Sequence, residues 1–210
     1  MREKEKYYWR TISLLRIFII LYFVFISSVS LSSDNSKLIK DIKNYFSNLK
    51  TLEADFIQID PQGNVSRGKI YLDLPGKIRI EYKKPNNLLI TSQGFWLYVQ
   101  DKKLKQTTNI PVSETPLNFL LKKNIDFDNK HLDVQIKNKE GLITLSISEI
   151  NKNENAKLIL QFSENPVSLK KWIIHDEFDN QTSVLLQNLN LGREISYLLF
   201  FHDEFDLEKQ

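Results

Sequence analysis

The stretch GKIYLDLPGKIRIEYKKPNNLLITSQGFWLYVQDKKLKQTT, residues 68–108, decides the fold. It breaks into five short runs rich in β-branched and aromatic residues: 69–74, 77–82, 87–91, 95–100 and 104–108. Between them stand Pro75-Gly76, Lys83-Lys84-Pro85-Asn86, Ser92-Gln93-Gly94 and Asp101-Lys102-Lys103. Strand formers in the runs and turn formers in the gaps describe an antiparallel meander. Inside the runs the side chains alternate. Ile78, Ile80 and Tyr82 oppose Lys77, Arg79 and Glu81, and Ile70, Leu72 and Leu74 oppose Lys69, Tyr71 and Asp73. Successive strand residues point to opposite faces, so the expected sheet has one apolar and one wet face.

Working outward, 51–59 reads as the first strand, with Leu52, Ala54, Phe56 and Gln58 on one face. Before it, 36–49 carries Leu38, Ile39, Ile42, Tyr45, Phe46 and Leu49 as one stripe, while Lys37, Lys40, Asp41, Lys43 and Asn44 take the other side. That spacing is helical, and Asp34 or Ser36 is placed to cap the helix. After 108 the alternation stops. Thr115-Pro116 starts a short, very apolar helix through Leu117, Phe119, Leu120 and Leu121. Strand patterns resume at 131–137, 142–147, 156–162, 169–176, 182–189 and 195–201. The count is about twelve strands and two helices in one domain, without an internal repeat.

The first 32 residues form a separate segment. Arg2, Lys4, Lys6, Arg10 and Arg16 precede an apolar run at 17–26, and small residues follow at 27–32. This is the layout of a secretory signal peptide, too short in its apolar core for a spanning helix of about 20 residues. The expected division is 1–32 signal and 33–210 mature domain; the other reading is an uncleaved N-terminal anchor, because the small residues at the cut are Ser rather than Ala. The signal holds five basic and two acidic residues of the chain's 29 and 26, so the remainder has 24 of each. A neutral domain gives no electrostatic ground for nucleic-acid binding.

The residues also speak against catalysis. There is no cysteine, hence no thiol chemistry, thiolate metal site or lipid-modified cysteine of its own. His131, His175 and His202 are scattered over different strands, and neighbouring His175 and Asp176 face opposite ways in a strand. No pair of histidines has ligand spacing, no glycine-rich phosphate loop occurs, and nothing completes a calcium site around Asp126 and Asp128. The expectation is a non-enzyme with no cofactor and no metal.

One ordered set of short motifs goes further. It runs through Phe56-Ile57-Gln58, the Gly68-led strand, residues 74–82 (LPGKIRIEY) and Pro85, then residues 89–94 (LITSQG). Trp96-Leu97-Tyr98, Gln106-Thr107 and Thr115-Pro116-Leu117 complete it. Over about 65 residues this order resembles the LolA family of periplasmic carriers of outer-membrane lipoproteins, and weaker similarity continues to the C-terminus. The resemblance implies a mainly β fold: one curved antiparallel sheet forming an incomplete, half-open β-barrel, with the N-terminal helix and the short central helix as its lid.

The same resemblance implies a monomeric periplasmic chaperone that shields the acyl chains of triacylated lipoproteins between the inner and outer membranes. Its partners would be an ATP-driven inner-membrane exporter and an outer-membrane receptor. The expected cavity lining is Phe56, Ile70, Leu72, Ile78, Ile80, Tyr82, Ile90, Trp96 and Tyr98, and the expected lid is Leu117, Phe119, Leu120 and Leu121. Where familiar members carry an Arg before the motif proline, this chain has Leu74, which leaves Arg67 or Arg79 as candidate latches. Nor is there a clear counterpart to an extended C-terminal strand beyond Phe205. Two other readings fit the residues: a lipid or lipoprotein sensor of the same fold, and a structural envelope protein whose apolar face is plain core.

Overall fold

The computed structural model describes residues 32–122, 125–150 and 156–203, with side chains from Asn35 onward. The chain divides into a unit Met1–Leu38 and a unit Ile39–Gln210. Of the first, the described part is the opening of helix α1 (Ser32–Asn48), and the expected signal segment up to 31 lies outside the described residues. No described helix is long and apolar enough to cross a membrane.

The second unit is a single antiparallel sheet. Its strands are β1 (Thr51–Ile59), β2 (Val65–Asp73), β3 (Lys77–Tyr82), β4 (Leu88–Gln93), β5 (Trp96–Asp101), β6 (Gln106–Pro111), β7 (Leu132–Lys139), β8 (Leu142–Glu149), β9 (Lys157–Glu164), β10 (Val167–His175) and β11 (Gln181–Leu191). They lie in the order β6-β5-β4-β3-β2-β1-β11-β10-β9-β8-β7. Two meanders, β1–β6 and β7–β11, are thus joined where the last strand returns to the first. The edge strands β6 and β7 do not pair with each other, so the sheet stays open. The connection between those two edges carries a 3-10 turn, Val112–Glu114, and helix α2 (Leu117–Leu120).

Register makes the apolar face continuous. Ala54, Ile70, Ile80, Ile90 and Val99 stand opposite one another across five strands. Across the β1–β11 seam a second row starts from Gln58, which faces Val184, and runs through Trp172, Leu160 and Leu145. The expected stripe is the one that is buried: Ile42 and Phe46 of α1, and Leu49 just after it, are each under 5% exposed. Phe46 and Tyr45 meet the Phe162 ring of β9 edge-on, which seats α1 on the apolar face.

Three expectations need correction. First, α1 begins at Ser32, so Asp34 and Ser36 lie inside it rather than capping it. Second, the described strands number eleven, because 195–201 is not a strand. Tyr197–Phe200 is a 3-10 turn, and the run Tyr-Leu-Leu-Phe-Phe has the composition of a strand without its alternation. Third, the wet face of the first meander is partly dry. Arg79 is only 8% exposed, and Leu89, Thr91 and Gln100 are completely buried.

The third correction follows from the second. The 3-10 turn and the residues after it lie across the outer face of β3–β5 as a strap. The Arg79 guanidinium donates to the carbonyls of Leu199 (3.1 Å) and Phe201 (3.4 Å) and is held in turn by Glu81 (3.1 Å). The Gln100 side chain bonds the Asp203 backbone on both sides, donating to its carbonyl at 2.7 Å and accepting its N–H at 2.9 Å. His202 stacks on Tyr98. Strap carbonyls that no ladder satisfies are thus satisfied by buried side chains. Hydrogen bonds to a charged group are worth about 1.5–3 kcal/mol. Arg79→Met is therefore expected to cost about 2 kcal/mol in urea unfolding and to speed limited proteolysis within 196–203. Unchanged cleavage there would show that Arg79 does not hold the strap.

Candidate functional site

An interior cavity lies on the apolar face, beneath α2. Of the residues expected to line it, Phe56, Ile70, Ile80, Tyr82 and Ile90 do so, with Leu117 of α2 above them. Leu72 and Ile78 pair with each other one step along the ladder and are fully buried on the same face, without reaching the cavity. Trp96 and Tyr98 belong to the opposite face. In the register, Ile90 stands against Val99 and Thr91 against Tyr98, so β5 turns Leu97 and Val99 inward and Trp96 and Tyr98 outward. Trp96 packs edge-on against the exposed Phe95, and Tyr98 lies under the strap.

The second meander contributes to the lining as well. Trp172 and Ile174 of β10 and Thr182 and Val184 of β11 close the cavity, and Gln58 of β1 completes it. Sequence reasoning kept to the motif-bearing half and left these out. Their signal was present as the alternation of β10, in which Trp172 and Ile174 share a face with Leu158 and Leu160 of β9.

The cavity is small, about 100 Å³. Pockets that enclose a drug-sized molecule begin on the order of 300 Å³. In this closed form the face is therefore mostly core. Beside the cavity and sharing Ile174 with it, a wider groove of about 460 Å³ runs between the α2 segment (Pro116, Phe119) and the ends of β9 and β10 (Leu158, Ile174). Its rim carries Glu114, Glu149, Lys157, His175, Asp176 and Glu177. Asp176 is committed to the β10–β11 turn: hydrogen bonds from the Asn180 side chain and from backbone N–H groups hold its carboxyl below the usual carboxylate range. His175 pairs with Asp179 at 2.9 Å rather than with its neighbour Asp176. Among the described residues no group of side chains could hold a metal ion.

The four lid residues are all turned inward: Leu117 is 8% exposed, Phe119 7%, Leu120 0% and Leu121 3%. Thr115 is extended and Pro116 helical, as a proline opening a helix requires. The Thr115 hydroxyl donates to the Val112 carbonyl rather than capping the helix. At its far end the lid is pinned by backbone. The Gly76 N–H in the β2–β3 turn donates to the Leu121 carbonyl at 3.0 Å. Gly76 has φ +85°, a conformation that favours glycine. Leu74, in the place of the expected Arg, is 7% exposed in the same turn. Of the candidate latches, Arg67 is exposed and Arg79 is spent on the strap.

One polar contact stands within the apolar lining. The Tyr82 hydroxyl donates to Gln58 Oε1 at 2.7 Å. Burial raises the Tyr82 pKa to about 12, against a smaller opposing effect of the Gln58 bond. The folded value thus lies above the ordinary 10.0, so the unfolded chain gives up this proton first as pH rises. The contribution is intact below pH 10 and is lost between about 10 and 12. At two pKa units it amounts to about 3 kcal/mol. In urea titrations over that range, Tyr82→Phe should lose less stability with pH than the wild type. Parallel losses would place Tyr82 in water.

Comparison with known proteins gives a family and several relatives. The family model described as "Outer membrane lipoprotein carrier protein LolA" matches residues 47–202. An uncharacterized protein of Rickettsia prowazekii is 30% identical over 142 residues, 64% of this chain and 67% of that one. An outer-membrane lipoprotein carrier protein of Nitrosomonas europaea is 27% identical over 194 residues, 86% of this chain and 92% of its own. The crystal structure of a LolA superfamily protein from the same organism superposes with a TM-score of 0.42 at 10% identity, covering 78% of this chain and 97% of that one.

Proposed function

Because the chain belongs to the LolA family of outer membrane lipoprotein carrier proteins, we propose that it carries lipoproteins by sheltering their acyl chains under α2. The route is the periplasm, reached through the export signal at 1–32, from an ATP-driven exporter in the inner membrane to a receptor at the outer membrane. The cargo is a triacylated lipoprotein bound one to one.

The observation that carries this reading is the cavity itself, lined mostly by apolar side chains and by no charged one, beneath a four-residue helix in the connection between the two unpaired edges of the sheet. Each methylene taken out of water is worth about 0.8 kcal/mol, so an acyl chain cannot cross an aqueous space bare. A carrier must also let go. Here Leu117, Phe119, Leu120 and Leu121 are buried against the apolar face. Loading would exchange one apolar surface for another, and the net free energy stays small enough to reverse. A helix of one turn has little stability of its own, so α2 is held by its buried side chains, and those are the contacts that cargo would replace.

The test is a release assay. Spheroplasts carrying the matching exporter and a labelled triacylated lipoprotein are incubated with the purified protein. Label should appear in the soluble fraction as a one-to-one complex. Ile90→Asp puts a charge on the lining at a half-buried position and should lower the yield at least tenfold while circular dichroism and melting stay near wild type. No soluble label with the wild type would leave a sensor or structural role for the fold.

A further inference from the structure

The cavity contains a polar element that hydrocarbon does not need. Gln58 on β1 and Tyr82 on β3 reach toward each other past β2, which has no side chain at Gly68, the residue paired with Tyr82. The Phe56 ring fills the space a side chain there would take and meets the Tyr82 ring edge-on. Tyr82 is thereby fixed in position, and its hydroxyl is spent on Gln58 Oε1. The Gln58 amide nitrogen, on a residue that lines the cavity, remains as a donor. Thr182 brings a hydroxyl to the same lining.

Position and charge narrow what such a donor would meet. Gln58 and Tyr82 stand at the end of the first meander away from the Gly76–Leu121 bond, while Thr182 pairs with Ile174, the residue shared with the open groove. The polar atoms thus lie between the groove and the all-apolar positions Leu72 and Ile78. No residue lining the cavity is charged. A carboxylate or phosphate drawn this deep would lose its hydration without a counter-ion, whereas a neutral carbonyl needs only a donor. The chemistry that fits is a fatty acyl ester, its hydrocarbon inward and its carbonyl oxygen at Gln58.

We propose that Gln58, oriented by Tyr82, recognises the ester carbonyl at the head of a bound acyl chain. The inference rests on the carrier reading for the source of that chain, since a phospholipid presents the same ester. Binding is measured on the purified full chain with a dipalmitoylglyceryl-cysteinyl peptide and its diether analogue. A second pair is dipalmitoyl phosphatidylglycerol and its diether analogue.

The wild type should bind the ester peptide about fivefold more tightly than the ether, the worth of one hydrogen bond. Gln58→Met should erase that ratio by weakening the ester alone, and Tyr82→Phe should cut it about twofold. Discrimination with the peptide pair only assigns the ester to lipoprotein; the same ratio with both pairs assigns it to glycerol esters in general. Equal ester and ether affinity in the wild type overturns the role of Gln58 and leaves acyl binding standing. A Gln58→Met variant that weakens ester and ether alike overturns it as well, because that is what a packing role would do. Failure of all four probes to bind overturns both this inference and the carrier reading.

Discussion

An apolar sheet face has to be kept from water, and the rest of this structure follows from that constraint. Most closed barrels solve it by pairing the first strand with the last all the way round. Here β1 and β11 do pair, but as the middle of the sheet, and the unpaired edges are β6 and β7. The face must be covered by something other than strands. Helix α1 covers part of it through Phe46 and Tyr45 on Phe162. The β6–β7 connection covers another part with four buried apolar side chains. Each such side chain withdrawn from water is worth about 1.5–3 kcal/mol, which is ample to hold a short segment in place.

The two coverings are not equivalent. Helix α1 runs for 17 residues and is wedged by aromatic contacts. Helix α2 is a single turn whose far end is fixed by one backbone hydrogen bond, Gly76 to Leu121, worth about 1 kcal/mol net. The strap behind β3–β5 then acquires a purpose. Arg79, Gln100 and the buried strap carbonyls stiffen from the outside the same strands that present Ile80, Ile90 and Val99 inside. A face that is to exchange its cover needs a floor that does not move with it.

Much of this was legible in the residues, and the parts that were not share a cause. Where apolar and charged residues alternate, as in 77–82, the inward set Ile78, Ile80 and Tyr82 could be read directly. In β5 every residue from Trp96 to Val99 is apolar or aromatic, so alternation holds no information about parity, and only the pairing of Ile90 with Val99 assigns it. The run 195–201 misled in the same way. Arg79 failed for another reason: a charged residue at an outward position reads as solvated until a distant segment is found lying on it. Trp172 and Val184 were visible as strand residues, but the pairing of Val184 with Gln58, which brings both to the cavity, depends on the β1–β11 seam, which joins residues more than 120 positions apart.

The central claim is that α2 leaves the apolar face when cargo arrives. Hydrogen exchange at the Gly76 amide reports this most directly, because that N–H is protected by the Leu121 carbonyl. It would be followed by NMR in the free protein and in its complex with a triacylated lipopeptide, with the β2–β3 ladder amides as internal reference. Loss of Gly76 protection on loading, with the ladder unchanged, is the expected result. A loaded protein in which Gly76 stays as protected as in the free one would mean that α2 is fixed core and the cargo binds elsewhere.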